Sequence, residues 1–191
     1  MLIEIKELLE LISKNTIWLY NSNIDYIGHR INVKCNNFFA YSWLYQLTYN
    51  TYSFTNNKID LEEYNIFCNY SHENYNKVAL LLSKYKFEEI MSHHKDKAKL
   101  YRQQDYYIIW FKETGTIFMR KGTQCIVLID SLQKNSYVEL SRFVREIFTR
   151  LAEKENYYLI HASAVERNGE IFVITGDKGA GKTTSLLELI E

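Results

Sequence analysis

Apolar residues recur along the chain with the periods of both helices and strands. In the first segment Leu2, Ile5, Leu9 and Ile12 share one stripe, which predicts a helix over residues 2–14. Further on, apolar and aromatic runs between polar turns predict three strands and a short helix. The strands are Ile24–Val33, Phe38–Phe54 and Tyr64–Tyr70, and the helix is Asn76–Lys86, with Val78, Leu81 and Leu82 as its apolar positions.

The middle of the chain contains a more regular strand pattern. Three β-like runs separated by short turns at Gly115 and Gly122 predict an antiparallel meander. These runs are Tyr106–Lys112, Thr116–Lys121 and Gln124–Asp130. Before the meander, residues 88–104 are highly charged, which indicates a solvated segment.

A longer helix and a tight hairpin are predicted after the meander. Ser136 and Glu139 have the S-x-x-E spacing of a capping box, and apolar residues then recur every three or four positions. The predicted helix is 136–153, with Leu140, Val144, Ile147 and Leu151 on its apolar face. Asn168 and Gly169 form the strongest short signal for a hairpin. Its two strands are Tyr157–Glu166 and Glu170–Thr175. Together these elements predict an α+β (mixed α/β) fold.

Composition narrows the classes of function. The chain has 191 residues, of which 47% are hydrophobic and 24% charged, enough for one or two domains with a packed core. Its formal net charge is zero, so no overall field favours nucleic acid or an anionic membrane as a partner. No stretch approaches the roughly 18 uninterrupted apolar residues of a membrane span, and the charged N-terminus lacks a signal-peptide pattern. We therefore expect a cytoplasmic protein.

Three residue patterns have both a chemical and a structural interpretation. Cys35, Cys68 and Cys125 form no C-x-x-C pair, which indicates reduced thiols rather than a disulfide framework or a zinc site. The adjacent histidines at 93–94 do not share a helix face, so a metal role is the weaker interpretation. The aromatic stretch Phe39–Phe54 could stack on bases, but almost no Lys or Arg accompanies it, which favours the core of a sheet.

The residues with the clearest chemistry lie near the C-terminus. Residues 176–184, with the sequence GDKGAGKTT, fit the pattern G-x-x-x-x-G-K-[ST] of a phosphate-binding P-loop. The flanks agree, because Ile171–Ile174 is a short apolar strand-like run and Ser185–Ile190 has the pattern of a helix start. A strand, a glycine loop and a helix are the context that this motif requires.

Each loop residue then has a predicted task in binding a nucleoside triphosphate with Mg²⁺. The glycines allow backbone angles closed to other residues, and backbone N–H groups at the helix N-terminus bind the phosphates. Lys182 is predicted to reach the β- and γ-phosphates, and the Thr183 hydroxyl to ligate Mg²⁺. The predicted nucleotide-binding residues are Gly176, Asp177, Lys178, Gly179, Ala180, Gly181, Lys182, Thr183 and Thr184.

The segment around this loop resembles the core of HPr serine kinase/phosphorylase, and more closely the HPr-kinase-like proteins of bacteria. The resemblance rests on LIHASAV at 159–165, the Asn-Gly turn, and ITGDKGAGKT at 174–183, and it covers about residues 137–191. Twenty-one positions separate His161 from Lys182, the spacing expected of that family. The resemblance implies a fold related to phosphoenolpyruvate carboxykinase, with phosphoryl transfer from ATP to a serine hydroxyl of a protein or peptide.

The resemblance also implies roles for individual residues and a division of the chain. It implies catalytic roles for Lys182 and His161, with Mg²⁺ on Thr183; the residues themselves leave His161 open between an active-site position and a buried strand histidine. Residues 1–135 would form a variable N-terminal α+β region, and residues 136–191 the first part of a P-loop domain. That part comprises the helix 136–153, the hairpin 157–175, the P-loop 176–184 and the helix start 185–191.

Departures from the family pattern affect the predicted function. Thr183 and Thr184 stand where HPr kinases have Ser-Glu, and Ala162 follows His161 in place of glycine. Both favour the kinase-like group and leave HPr itself in doubt as the substrate. The family's catalytic aspartates would follow the P-loop helix beyond Glu191, so we expect a truncated form or fragment that is inactive as this chain.

The sequence leaves three functions open. The first is a kinase acting on a protein or peptide, the second is a catalytically inactive nucleotide-binding partner or regulatory module, and the third is a small-molecule kinase of the same fold. Self-association or a completing chain is also expected, because later elements would normally cover the last strand and helix. The apolar helix positions concerned are Leu186, Leu187 and Leu189.

Overall fold

The chain folds into two compact units, Met1–Leu151 and Ala152–Glu191. A computed structural model describes residues 3–48, 62–91, 97–103, 105–158, 160, 162–177 and 179–190. The first unit contains a large mixed sheet with helices, and the second contains a hairpin, the glycine loop and a short helix. This content confirms the predicted α+β class. Within the described ranges, no helix has the length and apolar character that a bilayer crossing requires.

The described residues of the first unit form eight strands, three α-helices and most of a fourth. The helices are α1 Ile3–Asn15, α2 Phe38–Thr48, α3 His72–Leu82 and α4 Glu139–Lys154, the last preceded by a 3-10 turn over Ser136–Val138. The strands are β1 Tyr20–Tyr26, β2 His29–Cys35, β3 Glu62–Tyr70, β4 Glu88–Met91, β5 Lys97–Arg102, β6 Tyr107–Phe111, β7 Thr116–Lys121 and β8 Gln124–Ile129.

All eight strands belong to one sheet, in the order β1-β2-β3-β8-β7-β6-β5-β4. The neighbours β2, β3 and β8 are parallel, whereas the other pairs are antiparallel. Parallel neighbours need long connections, and here α2 lies between β2 and β3, while everything from α3 to β7 lies between β3 and β8. The middle of the sheet is therefore built from segments that are far apart in sequence.

Helices cover both faces of this sheet. Buried residues of α2 and α4 pack against one face, and buried residues of α1 and α3 pack against the other. The alternation of side chains along a strand explains the division. In β8, Cys125, Val127 and Ile129 belong to the first cluster, whereas Ile126 and Leu128 belong to the second. The first unit is thus a three-layer arrangement with the sheet in the middle.

Several predicted elements are confirmed with small shifts of their ends. The first helix, the third predicted strand and the meander all form. Gly115 and Gly122 have φ angles of 65° and 55° in the meander turns, a backbone conformation that favours glycine. Helix α3 begins at His72, earlier than predicted, because the Ser71 hydroxyl accepts a hydrogen bond from the Asn74 N–H at 3.2 Å.

The single strand predicted over Ile24–Val33 is wrong, because two strands and a turn occupy this region. β1 and β2 pair antiparallel, with Tyr26 opposite His29. Between the two strands, Ile27 and Gly28 have φ angles of 42° and 83°. Both angles are positive, as a tight type I′ turn requires. The turn has a weak sequence signal, because isoleucine precedes the glycine where Asn or Asp is common.

An ion pair beside this turn gives the hairpin a dependence on pH. Arg30 donates two hydrogen bonds to the Asp25 carboxylate, at 2.8 and 3.0 Å. These bonds, together with the charge of the guanidinium, hold the pKa of Asp25 below its usual 3.8. Since the lowered pKa belongs to the folded state, the pair stabilises the fold above that usual value and loses its contribution as the pH falls through the lowered pKa.

The substitution Asp25→Asn should lower the melting temperature slightly at neutral pH, and the difference from wild type should vanish in acid. The effect is small because both side chains are partly exposed to solvent. Thermal unfolding followed from neutral pH to about pH 2 measures the difference. A difference that stays constant over this range would show that the ion pair is not its source.

The strand predicted over Phe38–Phe54 is also wrong, because this region begins with helix α2. The Asn37 side chain caps the helix by accepting a hydrogen bond from the Ala40 N–H at 2.9 Å. Ala40 and two further residues at helical spacing are buried, whereas several aromatic side chains are exposed. The aromatic residues of α2 therefore belong to a helix surface and not to the core of a sheet. Residues 49–54 lie outside the described part.

The charged segment 88–104 contains two strands, so its interpretation as a solvated segment is corrected. Leu100 and Tyr101 in β5 are buried, although charged residues surround them in sequence. β4 is one of the two outer strands of the sheet, and its two glutamates are exposed. Charge on an outer strand discourages pairing with another chain, which explains this composition. The histidines at 93–94 lie outside the described residues.

The two residues of the predicted capping box have other roles. Ser136 begins the 3-10 turn, and the Glu139 carboxylate accepts a hydrogen bond from Arg142 at 2.9 Å. The predicted apolar face of α4 is buried in the first unit: Leu140, Val144, Ile147 and Leu151. The start of a P-loop domain at residue 136, which the resemblance implies, stays a prediction.

Candidate nucleotide-binding site

The second unit is built from a hairpin and one helix. The strands are β9, Ala162–Arg167, and β10, Glu170–Thr175. They pair antiparallel as predicted, although the first begins later than expected. Asn168 and Gly169 form the turn, with φ angles of 56° and 82°. At the other end of the hairpin Ala162 lies opposite Thr175, and the glycine loop starts from this end.

The loop after β10 has the backbone that a phosphate-binding loop needs. Gly176, Gly179 and Gly181 have φ angles of 156°, 86° and 81°, which residues with side chains rarely adopt. A Cβ on Gly176 would lie 3.2 Å from the Cβ of Ala180, so the loop is tightly folded at its start. The Ala180 N–H donates to the Asp177 carbonyl at 3.1 Å and closes a turn. The sequence therefore specifies the loop conformation through its glycines.

The Lys182 ammonium lies against the start of this loop. Its Nζ donates to the carbonyl oxygens of Gly176 at 2.8 Å and of Asp177 at 3.0 Å. Both hydrogen bonds are exposed, so the ammonium remains accessible to a ligand. The positive charge is thereby held over the loop instead of extending into solvent, and it is suited to a charge-assisted hydrogen bond with a phosphate oxygen.

Helix α5 covers Lys182–Ile190 and begins earlier than predicted. The Ser185 N–H donates to the Gly181 carbonyl at 2.9 Å, so helical hydrogen bonding starts from the last loop glycine. The N–H groups of the first turn have no acceptor within the helix, and they give its N-terminus a partial positive charge. Thr183 and Thr184 are exposed in this turn. The helix start therefore adds anion-binding groups to the loop.

The loop and the first helical turn contain most of the predicted site residues. Gly176, Asp177, Gly179, Ala180, Gly181, Lys182, Thr183 and Thr184 all lie there. Lys178 and His161 lie outside the described residues, so their predicted roles stay predictions. The hydrogen bonds from Lys182 to two loop carbonyls were not predicted, because the motif specifies a lysine without specifying its partners.

The residues present fit a triphosphate with Mg²⁺. The loop and the helix start supply N–H donors, Lys182 supplies a positioned cation, and Thr183 supplies an exposed hydroxyl. Mg²⁺ in such sites needs few protein ligands, because phosphate oxygens and water complete its coordination. No group of three or more His, Cys, Asp or Glu side chains that could hold a metal occurs in the described part of the chain.

Apolar side chains of the hairpin and the helix are exposed in this unit. Ile171, Phe172 and Val173 in β10 are 71%, 47% and 55% exposed, although successive residues point to opposite faces of the two-stranded sheet. In the helix, Leu187 and Leu189 are exposed and Leu186 is partly buried. Such a surface is suited to a further covering element, and self-association or a completing chain stays a prediction.

Comparison with known proteins leaves this site without a relative to guide its assignment. Comparisons of the chain with protein-family models, with curated proteins and with solved structures found no match. The functional assignment therefore depends on the glycine loop, its lysine and the helix that follows them.

Proposed function

We propose that this chain is an ATP-binding, HPr-kinase-like protein that supplies the phosphate-binding part of a nucleotide site. The position of Lys182 is the observation that carries the proposal, since its ammonium is held 2.8 and 3.0 Å from two loop carbonyls. From there it would exchange those carbonyls for β- and γ-phosphate oxygens. The loop N–H groups would bind the remaining phosphate oxygens, and the Thr183 hydroxyl would hold Mg²⁺.

For the reaction we infer phosphoryl transfer to a serine hydroxyl of a protein or peptide, in the cytoplasm. ATP would supply the phosphoryl group and ADP as the leaving group, and Mg²⁺ would neutralise part of the phosphate charge. The glycine loop orients that group, and Lys182 stabilises the negative charge on its oxygens. The choice of serine as the acceptor rests on the resemblance to HPr kinase. The same resemblance suggests that His161 lies beside the site.

A nucleotide-binding module without chemistry is the second candidate, and the positions of Glu166 and Glu188 favour it. Transfer to a hydroxyl needs an acidic residue that orients the acceptor and takes its proton. Glu166 accepts a hydrogen bond from the Gly169 N–H at 2.6 Å, in the hairpin turn and not at the loop end. Glu188 lies in α5 after its first turn. A regulatory or partner module would need no such acid.

Titration calorimetry of the full chain with Mg·ATP tests the nucleotide site. We expect the wild-type chain to bind, and we expect a chelator to weaken binding because the Thr183 hydroxyl would hold the Mg²⁺ that accompanies the nucleotide. Thr183→Ala should lose most of this Mg²⁺ dependence, whereas Thr183→Ser retains the hydroxyl and should retain the dependence. A folded sample that does not bind Mg·ATP would overturn the proposal.

Labelling with γ-phosphate-labelled ATP separates the two candidates. Transfer of label to a serine-containing protein or peptide, lost in Lys182→Ala, would support the kinase. Nucleotide binding without any transfer would support the module. Transfer to a small hydroxylated molecule alone would instead identify the third class, a small-molecule kinase.

A further inference from the structure

Two of the three cysteines face each other across neighbouring strands of the first unit. Cys35 is the last residue of β2, and it lies directly opposite Cys68 of β3 in the parallel register. Adjacent strands are about 4.8 Å apart, which is within the roughly 4.4–6.8 Å between Cα atoms that a disulfide spans. Both side chains are fully buried in the same hydrophobic cluster. The strand register therefore creates a dithiol that no local sequence motif shows.

The two thiols have different surroundings. The Asn37 N–H donates to Cys35 Sγ at 3.3 Å, and the neutral Cys35 thiol can donate to the Asn37 carbonyl at 3.6 Å. A hydrogen bond from Cys68, helped by backbone N–H groups of Asn37 and Asn36, lowers the pKa of Cys35 although burial opposes it. Burial raises the pKa of Cys68 well above its usual value. Cys35, whose sulfur also accepts the Asn37 N–H, therefore forms a thiolate more readily than Cys68.

We propose that Cys35 and Cys68 form a reversible oxidation site, which hydrogen peroxide converts to an intramolecular disulfide with Cys35 as the attacking residue. The Cys35 thiolate attacks one peroxide oxygen, so that an S–O bond forms and the O–O bond breaks. The leaving hydroxide takes up the proton that the thiol released and becomes water. The Cys68 sulfur then attacks Cys35, the S–S bond forms, the S–O bond breaks, and hydroxide leaves as water with the Cys68 proton.

We expect access to the buried pair to depend on the turn after β2. The Asn36 side chain donates to the Tyr70 carbonyl at 3.3 Å and accepts from the Tyr70 N–H at 2.8 Å. These two bonds fasten the turn to the end of β3, next to both cysteines. Peroxide reaches the thiols when this turn opens, so oxidation is slow in the closed state. Asn36→Ala removes both bonds and should speed disulfide formation several-fold.

Cys125 is the internal control. It is also buried, and burial raises its pKa to about 12. Its register partner in the neighbouring parallel strand is Ile66, so no sulfur lies directly opposite it there. We expect Cys125 to remain a thiol under conditions that oxidise the Cys35–Cys68 pair.

Peroxide treatment of the full chain, followed by denaturing alkylation and peptide mass mapping, tests the proposal. The wild-type chain and Cys125→Ser should both show a Cys35–Cys68 disulfide that a dithiol reductant reverses. Cys68→Ser should accumulate a sulfenic acid on Cys35, trapped by dimedone, whereas Cys35→Ser should give no adduct on Cys68. Circular dichroism confirms that each variant is folded.

Three results would overturn the proposal. The first is full alkylation of all three thiols after peroxide treatment of both the wild-type chain and Asn36→Ala. The second is a disulfide that contains Cys125 in place of either partner. The third is a dimedone adduct on Cys68 in folded Cys35→Ser, which would show that Cys68 attacks peroxide without Cys35. The mapping of the wild-type chain decides the pairing even if a serine variant fails to fold.

Discussion

Replacing Lys182 by alanine should weaken Mg·ATP binding roughly 30- to 150-fold, because hydrogen bonds to charged groups contribute about 2–3 kcal/mol. The ammonium is held within 3.0 Å of two loop carbonyls, where phosphate oxygens would meet it. Without it, the loop N–H groups and the start of α5 must bind the phosphates alone. Calorimetry or titration with a fluorescent nucleotide measures the loss.

Two further lysine variants serve as controls for this substitution. Lys182→Arg keeps the charge but presents a planar fork in place of a compact ammonium, so we expect an intermediate loss of affinity. Lys84→Ala removes an exposed lysine just after α3, outside the glycine loop, and should leave the affinity unchanged. Equal affinities for the wild-type chain and folded Lys182→Ala would refute the role given to Lys182.

Gly115→Ala should destabilise the first unit by about 2–5 kcal/mol, from left-handed backbone strain and overpacking combined. The added Cβ would lie 2.5 Å from Cγ of Gln133 and 3.0 Å from Cβ of Asp130. The turn has little freedom to shift, because the Gly115 carbonyl accepts from the Asp130 N–H at 2.8 Å. Asp130 is itself fixed through its carboxylate, 2.8 Å from Nδ1 of His72 at the start of α3.

Gly122→Ala separates the steric contribution from the backbone strain. Gly122 lies in the next turn of the same meander with φ of 55°, but nothing lies within 4 Å of a Cβ built on it. This variant should therefore lose only the strain energy, about 1–2 kcal/mol. Urea unfolding of both variants measures the difference. Equal losses would mean that the packing around Gly115 does not restrict the site.

The elements predicted best from the sequence have partners nearby in the chain. The second meander turn and the hairpin turn at Asn168-Gly169 have two residues each, and the first meander turn has four; each contains a glycine with its own conformational preference. The order β2-β3-β8 depends on packing between distant segments, and no periodicity encodes it. Helix α2 was predicted as a strand because Phe, Tyr and Trp favour strands, whereas the Asn37 cap and the buried stripe starting at Ala40 decide the outcome.

The candidate site also has features that the sequence predicts and features that depend on the folded chain. The glycine loop is predictable because its residues are contiguous and its glycines have φ angles that other residues avoid. The partners of the Lys182 ammonium depend on the folded path of the loop, and the motif does not contain that information. The pairing of Cys35 with Cys68 depends on the register between β2 and β3, so cysteine spacing alone indicates only separate thiols.

The strand order also determines when parts of the first unit can form during synthesis. β4 to β8 join neighbours in sequence, and such hairpins close within about 1–10 μs. β3 pairs with β8 across a long intervening chain, with Asn65 opposite Gln124, so this step belongs to the slow, non-local class of folding events. Until the ribosome has released β8, one edge of β3 has no strand to pair with. That interval is when a nascent chain is most exposed to aggregation and most in need of a chaperone.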